Sequence, residues 1–271
     1  MSHQKGRVFL REKNLQITVS SLTGRVRSIN QDNFYYNGVT LPDDSQTDYT
    51  AVYEANHAFL AVADGMGGER EGEFASLTAV EALCAIGEEL PSYEQLYDCV
   101  TKANGIICER SEQIHSCIGT TIVIAVIKGK RLRIYNIGDS KALLYHNGTL
   151  TQLSKDHTAA AALVEAGLLT HEEARKDPRS HQLSQHLGIP PEEMQLSLHQ
   201  QENIPFAKGD VLLLCSDGLT EGLEESAIIR LIEQQPDSPD LASSLTAAAL
   251  ASGSRDNITA LTVFQRRTLL W

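Results

Sequence analysis

The chain has 271 residues, which is enough to bury a substantial core in one large domain or two small ones. Its 35 acidic residues outnumber its 23 basic ones, and the formal net charge of −12 argues against a nucleic-acid-binding surface or a polybasic membrane patch. No apolar run approaches the roughly 20 residues of a membrane span, and the first residues, MSHQKGRVFLREKN, lack the apolar region of a secretory signal. We therefore expect a cytoplasmic protein that binds neither nucleic acid nor membrane, and we expect a monomer.

The first half of the chain predicts strands followed by two helices. Alternating apolar residues indicate a half-buried strand over 14–20, a short aromatic strand is predicted over 33–36, and the polar segment 41–50 is typical of a surface loop. The apolar run 59–63 is typical of a buried strand, which we expect to end at Asp64. Apolar residues at spacings of three and four then predict two core-facing helical stripes: Phe74, Leu77, Val80, Leu83, Cys84 and Leu90 in the first, and Tyr93, Leu96, Val100, Ala103, Ile107 and Ile114 in the second.

The second half begins with a strand-like period. Segments 119–127 and 131–137 predict an antiparallel meander rather than a βαβ repeat, and Asn147-Gly148 predicts a tight hairpin. Residues 155–190 indicate a helical excursion in which Thr170 to Glu173 have the form of a capping box. The remaining predictions are a strand over 209–216, helical segments over 224–234 and 239–251, and a last strand over 258–264.

The five cysteines form no CxxC pair and are odd in number. We expect reduced core thiols in a cytosolic protein. They are Cys84, Cys99, Cys108, Cys117 and Cys215.

Asp64 stands between the predicted buried strand and the glycine-rich segment Gly65 to Gly68. A carboxylate at the end of a buried strand can point into a cleft, and the glycines let a backbone carbonyl approach the same ligand. The alternative is an ordinary Asp-Gly turn. A phosphate-binding P-loop is excluded, because Glu69-Arg70-Glu71 follows instead of Gly-Lys-Ser/Thr.

Four further aspartates lie at predicted strand edges. Asp217 follows an apolar run and precedes glycine, Asp256 precedes the last strand, Asp139 interrupts two strands, and Asp32 precedes the aromatic strand. Each alone could be a turn carboxylate, but together they indicate oxygen-only ligation, which selects Mg²⁺ or Mn²⁺ over Zn²⁺. The nine histidines show no HxH or HExxH spacing, which argues against a zinc hydrolase.

Six segments in order resemble the metal-dependent Ser/Thr protein phosphatases of the PP2C (PPM) family, of the compact bacterial type. They cover roughly residues 15–265 and read GRVRSINQDNF, FLAVADGMGGEREGEFAS, GTTIVIAVI, IYNIGDSKALLYHNGTLTQLSKDHT, GDVLLLCSDGLTEGL and GSRDNITALTV.

The fold implied by the resemblance is α+β, a four-layer α/β/β/α sandwich with two central, mainly antiparallel β-sheets flanked by helices. It implies one phosphatase domain over 1–271, with a core of about 15–265. It also implies a flap at about 156–188, a mobile segment beside the cleft whose alternative interpretation is a surface helical insertion. The basic residues Arg175, Lys176 and Arg179 lie in this segment, and they are the only basic cluster that we expect near a phosphopeptide.

The resemblance also implies a binuclear metal site. Asp64, Asp217 and Asp256 would be direct ligands, the carbonyl of Gly65 would complete one shell, and Asp32 would reach a metal through water. Asp139, with Asp217, would hold a third, weaker ion.

The implied catalytic residues are Arg27, Asp64, Asp217 and Asp256. Arg27 would bind the substrate phosphate, and Asn257 would orient a metal-bound water or a phosphate oxygen.

The implied reaction is hydrolysis of phosphoserine and phosphothreonine in proteins, reversing a Ser/Thr kinase. Two Mn²⁺ or Mg²⁺ ions about 3.5–4 Å apart can share one water and aim it as hydroxide for in-line attack, while Arg27 offers a two-pronged fork to the dianion. No covalent phosphoenzyme is needed, so Cys215 is expected to be a core thiol rather than a nucleophile.

Two positions depart from the family pattern. Met66 stands where some members have a histidine proposed as the general acid, so no acid is assigned. Gln31 replaces a frequent glutamate beside Asp32, which removes a charge near the metals.

Two alternatives remain open. One is a weak or inactive pseudophosphatase that acts as a binding module, although every metal-ligand aspartate and Arg27 are retained. The other is a related phosphatase that acts on regulators of sigma factors, which usually carries extra sensor domains.

Overall fold

The computed structural model describes residues 13–41, 48–67, 71–86 and 90–266. Residues 1–12, the centre of the predicted loop over 41–50, and Gly68-Glu69-Arg70 lie outside the described residues.

The described chain alternates strands and helices in the predicted order, with some elements that the sequence did not reveal. The strands are β1 (Leu15–Leu22), β2 (Asp32–Tyr36), β3 (Val39–Thr40), β4 (Tyr49–Ala55), β5 (His57–Met66), β6 (Gly119–Thr120), β7 (Ile122–Lys128), β8 (Arg131–Ile137), β9 (Lys141–His146), β10 (Thr149–Gln152), β11 (His199–Pro205), β12 (Val211–Cys215) and β13 (Ile258–Gln265). The helices are α1 (Gly72–Cys84), α2 (Tyr93–Ile114), α3 (Ala159–Glu165), α4 (His171–Lys176), α5 (Asp217–Gly222), α6 (Glu225–Gln234) and α7 (Leu241–Ala251), with a 3₁₀ turn over Pro178–His181.

The strands form two sheets, and every pairing between described strands is antiparallel. One sheet has the order β10-β9-β12-β13-β1-β4, and the other has the order β11-β8-β7-β5-β2-β3, with β6 added beside β5. The predicted meander is therefore confirmed. At the predicted hairpin, Asn147 and Gly148 have φ values of 48° and 83°, the left-handed pair that a two-residue turn of this type requires.

Three apolar clusters divide the molecule into four layers. Because side chains alternate across a strand, Leu60 and Val62 of β5 pack between the two sheets, whereas Phe59, Ala61 and Ala63 pack against α1 and α2. A third cluster joins the outer face of the first sheet to α5, α6 and α7. The predicted α/β/β/α sandwich is thus confirmed.

Helix α2 shows how local sequence and burial agree. Ser92 and Gln95 form a capping box at its start, with the Ser92 N–H donating to Gln95 Oε1 at 2.8 Å. Most of its predicted apolar stripe is buried: Leu96, Val100 and Ile107 are almost completely shielded from solvent.

Several local expectations were wrong. The strand expected to end at Asp64 continues to Met66, because β6 pairs with Gly65 and Met66. Strands β4 and β11 and helix α5 were not predicted.

The cysteines also differ from the expected core positions. All five are free, but only Cys215 is buried, whereas Cys84 and Cys117 are exposed. Among the described residues, no helix is both long and apolar enough to cross a membrane.

Candidate metal centre

Asp32 and Asp64 lie side by side at one end of the second sheet. They are directly opposite each other in the antiparallel pairing of β2 with β5, so their side chains share one face. The backbone at Asp64 is held in place by the adjoining segment: its carbonyl accepts from the Thr121 N–H at 2.9 Å and from Thr120 Oγ1 at 2.8 Å, and its N–H donates to Thr121 Oγ1 at 3.1 Å. Two like charges opposite each other are destabilising, so this pair needs a compensating group.

Asp217 and Asp256 come from the same end of the first sheet. Asp217 is the first residue of α5, directly after β12, and Asp256 precedes β13, the neighbour of β12. Gly218 lets the two segments meet, because a Cβ there would collide with the carbonyl of Asn257.

Ser216 connects the two sheets at this end. Its hydroxyl donates to Asp32 Oδ2 at 2.7 Å and accepts from the N–H of Thr259 at 3.0 Å. Asp32, Asp64, Asp217 and Asp256 are therefore brought together at one end of the two sheets, where their carboxyl groups influence one another. We call this place the cleft.

The pKa values of these carboxyl groups reflect their crowding. Burial raises the pKa of Asp32 to about 7, helped by Asp217 and Asp256. Burial, followed by Asp32 and Asp217, raises the pKa of Asp64 well above its ordinary range. Burial and Asp256 also raise the pKa of Asp217, which shares a hydrogen bond with Asp64. Carboxyl groups this close cannot all ionise without positive charge between them.

Asp139 joins the cluster from the turn between β8 and β9. It is 8% exposed, and burial, followed by Asp217, raises its pKa to about 7. Lys141 opposes this rise, but the Lys141 ammonium is itself bound to Asp156 at 2.6 Å. Asp139 and Asp217, which were predicted to hold a third ion together, therefore lie close enough to interact electrostatically.

Arg27 lies at the rim of the cleft and is bound to Asp256. Its Nε donates to Asp256 Oδ1 at 2.8 Å and its Nη2 to Oδ2 at 2.6 Å, a two-pronged contact that raises the pKa of Arg27. The two side chains are 47% and 29% exposed. Arg27, the predicted phosphate-binding residue, and Asp256, a predicted metal ligand, are therefore bound to each other.

Asn257 has a buried side chain that holds the Arg27 loop. Its Nδ2 donates to the carbonyls of Thr23 at 2.8 Å and Ile29 at 3.0 Å, and its Oδ1 accepts from the Gln31 N–H at 2.9 Å. Both N–H bonds of the amide are therefore already used within the protein. The predicted contact with a water or phosphate oxygen stays a prediction.

Gly65 has no room for a side chain. A Cβ at this position would collide with the carbonyl oxygens of Gly72 and Gln31. This close approach packs the main chain of β5 at Gly65, directly after Asp64, against Gln31 and the start of α1. The resemblance puts a carbonyl ligand at Gly65. Gln31 itself donates from its side chain to Glu73 at 3.3 Å.

Sequence reasoning missed the residues that support these aspartates. Ser216, Thr121 and Ser140 lie in segments that carry the family resemblance, but no role was predicted for them. Thr121 Oγ1 accepts from the Asp64 N–H and lies 2.7 Å from Ser140 Oγ. Two more missed residues, His181 and Glu221, lie close to Asp217.

The predicted basic residues of the flap do not form a free cationic patch. Arg175 lies 3.8 Å from Glu225, Lys176 binds Glu172 at 3.1 Å, and Arg179 binds Asp177 at 2.7 Å.

Comparison with known proteins agrees with this geometry. Residues 37–252 match the family model described as Protein phosphatase 2C. The chain belongs to the protein phosphatase 2C family. Among curated members, the serine/threonine phosphatase stp of Listeria welshimeri is 32% identical over 249 residues, which cover 89% of this chain and 92% of the relative.

Solved structures of the family show the same fold. The Mycobacterium tuberculosis serine/threonine phosphatase PstP/Ppp matches with a TM-score of 0.77 and 29% identity, covering 93% of this chain and 99% of the other. The catalytic domain of serine/threonine protein phosphatase PstP in complex with two manganese ions matches with a TM-score of 0.71 and 30% identity, covering 93% and 100%. The predicted family is thereby confirmed.

Proposed function

We propose that this chain is a metal-dependent phosphoprotein phosphatase that hydrolyses phosphoserine and phosphothreonine. The observation that carries the proposal is the convergence of Asp32, Asp64, Asp217 and Asp256 on one cleft, with Arg27 at its rim. Relatives named serine/threonine phosphatases support the substrate class.

The donor set fits hard divalent cations. The oxygen Asp32 Oδ1 is buried and has no hydrogen-bond partner, although its partner oxygen accepts from Ser216. An unpartnered buried carboxylate oxygen is costly unless a cation or a bound water satisfies it. Oxygen-only ligation suits Mg²⁺ and Mn²⁺, and the manganese complex of a relative supports Mn²⁺.

Asp64, Asp217, Asp256 and the carbonyl of Gly65 would hold the two core ions. Asp32 would reach one of them through water, and Asp139, with Asp217, would hold a third, weaker ion. When bound, such ions lower the pKa of a water and neutralise charge on the phosphoryl oxygens.

The chain itself contributes orientation and phosphate binding. Arg27 must exchange a carboxylate partner, Asp256, for the phosphate dianion, to which its planar fork can donate two hydrogen bonds. Because the Arg27–Asp256 pair is partly exposed, opening it costs little, on the order of 1 kcal/mol or less. The pair thus keeps Arg27 in position until a phosphate arrives.

Supporting residues fix the geometry of the acids. Ser216 orients Asp32, Thr121 fixes the backbone at Asp64, and Asn257 holds the loop that carries Arg27. We assign Asn257 the role of a positioning residue, in addition to the contact predicted for it.

The proposal extends to the domain organisation, location and substrates of the protein. The chain would form one phosphatase domain with a core of about 15–265, acting in the cytoplasm as a monomer on proteins phosphorylated by a Ser/Thr kinase. No observation favours the pseudophosphatase alternative, since the acidic cluster and Arg27 are both assembled.

The test is metal-dependent turnover of two substrates, an aryl phosphate and a phosphothreonine peptide. We expect hydrolysis with Mn²⁺, abolition by EDTA, and loss in Asp217→Asn. Asp240→Asn is the matched control, because Asp240 is exposed and its side chain caps nothing in α7. Absence of Mn²⁺- or Mg²⁺-dependent turnover of both substrates would refute the proposal.

A further inference from the structure

His181, Asp217 and Glu221 form a second cluster of ligand atoms, which shares Asp217 with the acidic cleft. One atom from each of the three side chains lies within 4.8 Å of the other two, the only such group of three or more among the described residues. His181 ends the 3₁₀ turn of the flap, and Asp217 and Glu221 lie on α5. The cluster therefore joins the flap to α5.

The spacing within the cluster has a local cause. Asp217 and Glu221 are four residues apart, so they share one face of α5. His181 Nδ1 reaches this face from the flap and lies 3.5 Å from Glu221 Oε1. His181 and Glu221 are 61% and 32% exposed, so an ion can enter from solvent.

The dimensions suit one small cation. Neighbouring ligands at about 2.0–2.2 Å from a tetrahedral zinc ion lie about 3.3–3.6 Å apart. The 3.5 Å between His181 Nδ1 and Glu221 Oε1 already matches this spacing, and the other separations, which are within 4.8 Å, would close by about 1 Å or less on binding. The imidazole sets this cluster apart from the oxygen-only centre beside it. Imidazole suits Zn²⁺ and Co²⁺, whereas Mg²⁺ prefers oxygen ligands and keeps its waters.

We propose that His181, Asp217 and Glu221 bind a divalent cation of the zinc type, and that this ion fixes the flap against α5. Asp217 can take part in both sites because a carboxylate has two oxygens. The proposal depends on the proposed phosphatase function only in assuming that Asp217 also binds a metal ion of the catalytic centre. The ion would hold the flap at the edge of the cleft, where it limits access to Arg27 and the acidic cluster.

The experiment measures Zn²⁺ and Co²⁺ binding by the full chain in excess Mg²⁺, which fills the oxygen-only positions. Zn²⁺ stoichiometry is measured by calorimetry, and Co²⁺ ligation by its visible absorption. His181→Ala should lose one Zn²⁺ per chain or weaken that site by at least about tenfold, and Glu221→Gln should weaken it as well. His171→Ala is the matched control, since His171 is an exposed histidine of the same flap and belongs to no ligand cluster found in the described residues. The exposed thiols are present in every variant, so any Zn²⁺ that they bind does not affect the comparison between variants.

Limited trypsin digestion gives a second readout of the same samples. The flap carries Arg175 and Lys176, whose side chains are 77% and 76% exposed. Zn²⁺ should slow cleavage at these residues in the wild type and in His171→Ala, but not in His181→Ala. Mg²⁺ alone should give no such protection.

Two results would overturn the proposal: equal Zn²⁺ stoichiometry and affinity in wild type and His181→Ala, or equal protection of the flap in both. Neither result affects the phosphatase assignment, which is judged separately by Mg²⁺-dependent turnover of a phosphothreonine peptide without Zn²⁺. Conversely, a wild type without turnover would still show His181-dependent binding if the inference is right.

Discussion

Replacing Arg27 by alanine tests the exchange of partners at the rim of the cleft. In the wild type, the guanidinium makes a two-pronged contact with Asp256. The proposed function requires it to transfer to the substrate phosphate, so the variant loses phosphate binding and at the same time frees Asp256.

The expected magnitude is the difference between two contributions. Hydrogen bonds to charged groups contribute about 1.5–3 kcal/mol, whereas breaking a partly exposed ion pair costs about 0.2–1 kcal/mol, which applies here because Arg27 is 47% exposed. The net loss of about 0.5–2.8 kcal/mol corresponds to a rise in KM of about 2- to 100-fold, with a smaller change in kcat. Because a competitor for Asp256 is removed, Mn²⁺ should bind up to about fivefold more tightly.

The assay is steady-state hydrolysis of a phosphothreonine peptide at saturating Mn²⁺, together with a Mn²⁺ titration. Arg27→Lys should be intermediate, because an ammonium keeps the charge but not the fork. Arg25→Ala is the control, since Arg25 is an exposed arginine of the same loop and should leave KM unchanged. An unaltered KM in Arg27→Ala would refute the clamp, and weaker Mn²⁺ binding would refute the competition for Asp256.

Three further predictions concern the acids and the buried thiol. With a chelator present, the pKa of Asp32 is about 7 in the folded chain against an ordinary value of 3.8, so the folded state holds more protons and loses stability as pH rises from about 4 to about 7. Urea unfolding across this range should show that loss, Asp32→Asn should reduce it, and a flat profile would contradict the burial argument. Asp139→Ala should leave two Mn²⁺ bound by calorimetry but lower kcat on a phosphopeptide by about tenfold; unchanged kinetics at saturating metal would reject a role for a third ion. Burial raises the pKa of Cys215 to about 12, so its thiol stays protonated and is a poor nucleophile. Cys215→Ala should therefore keep kcat within about twofold and lower the free energy of unfolding by about 1 kcal/mol. In the native protein, iodoacetamide should modify the exposed Cys84 and Cys117 before Cys215. A large loss of kcat would restore Cys215 as a candidate nucleophile.

Elements with a strong local period could be predicted from the sequence. Helix α2 has both a capping box and a continuous apolar stripe, and the hairpin at Asn147-Gly148 is dictated by two left-handed residues. In each case the information lies within a few neighbouring residues, so no distant contact is needed to specify it.

The two Asp-Gly pairs show where local sequence is insufficient. Asp64 and Asp217 both follow apolar strands and precede glycine, yet the first lies within a strand and the second begins a helix. The strand at Asp64 is extended by pairing with β6, more than fifty residues later in the chain. Strand β11 has the polar sequence HQQENIP and is a strand because it pairs with β8 at the edge of a sheet.

In the candidate site, too, the sequence predicted individual residues but not the contacts that the fold creates between them. The aspartates were predicted as residues, but their partners were not, since Arg27 meets Asp256 across 229 positions of the chain. No role was predicted for His181 or Glu221, and only the fold brings His181 beside Asp217.

The most direct test is diffraction from Mn²⁺-soaked crystals at the manganese absorption edge. We predict two ions in the cleft, ligated by Asp64, Asp217 and Asp256, and in a second soak that also contains inorganic phosphate we predict that Arg27 leaves Asp256 and binds the phosphate. Ions absent from the cleft, or a phosphate bound beside them while Arg27 still makes its two-pronged contact with Asp256, would contradict the assignment.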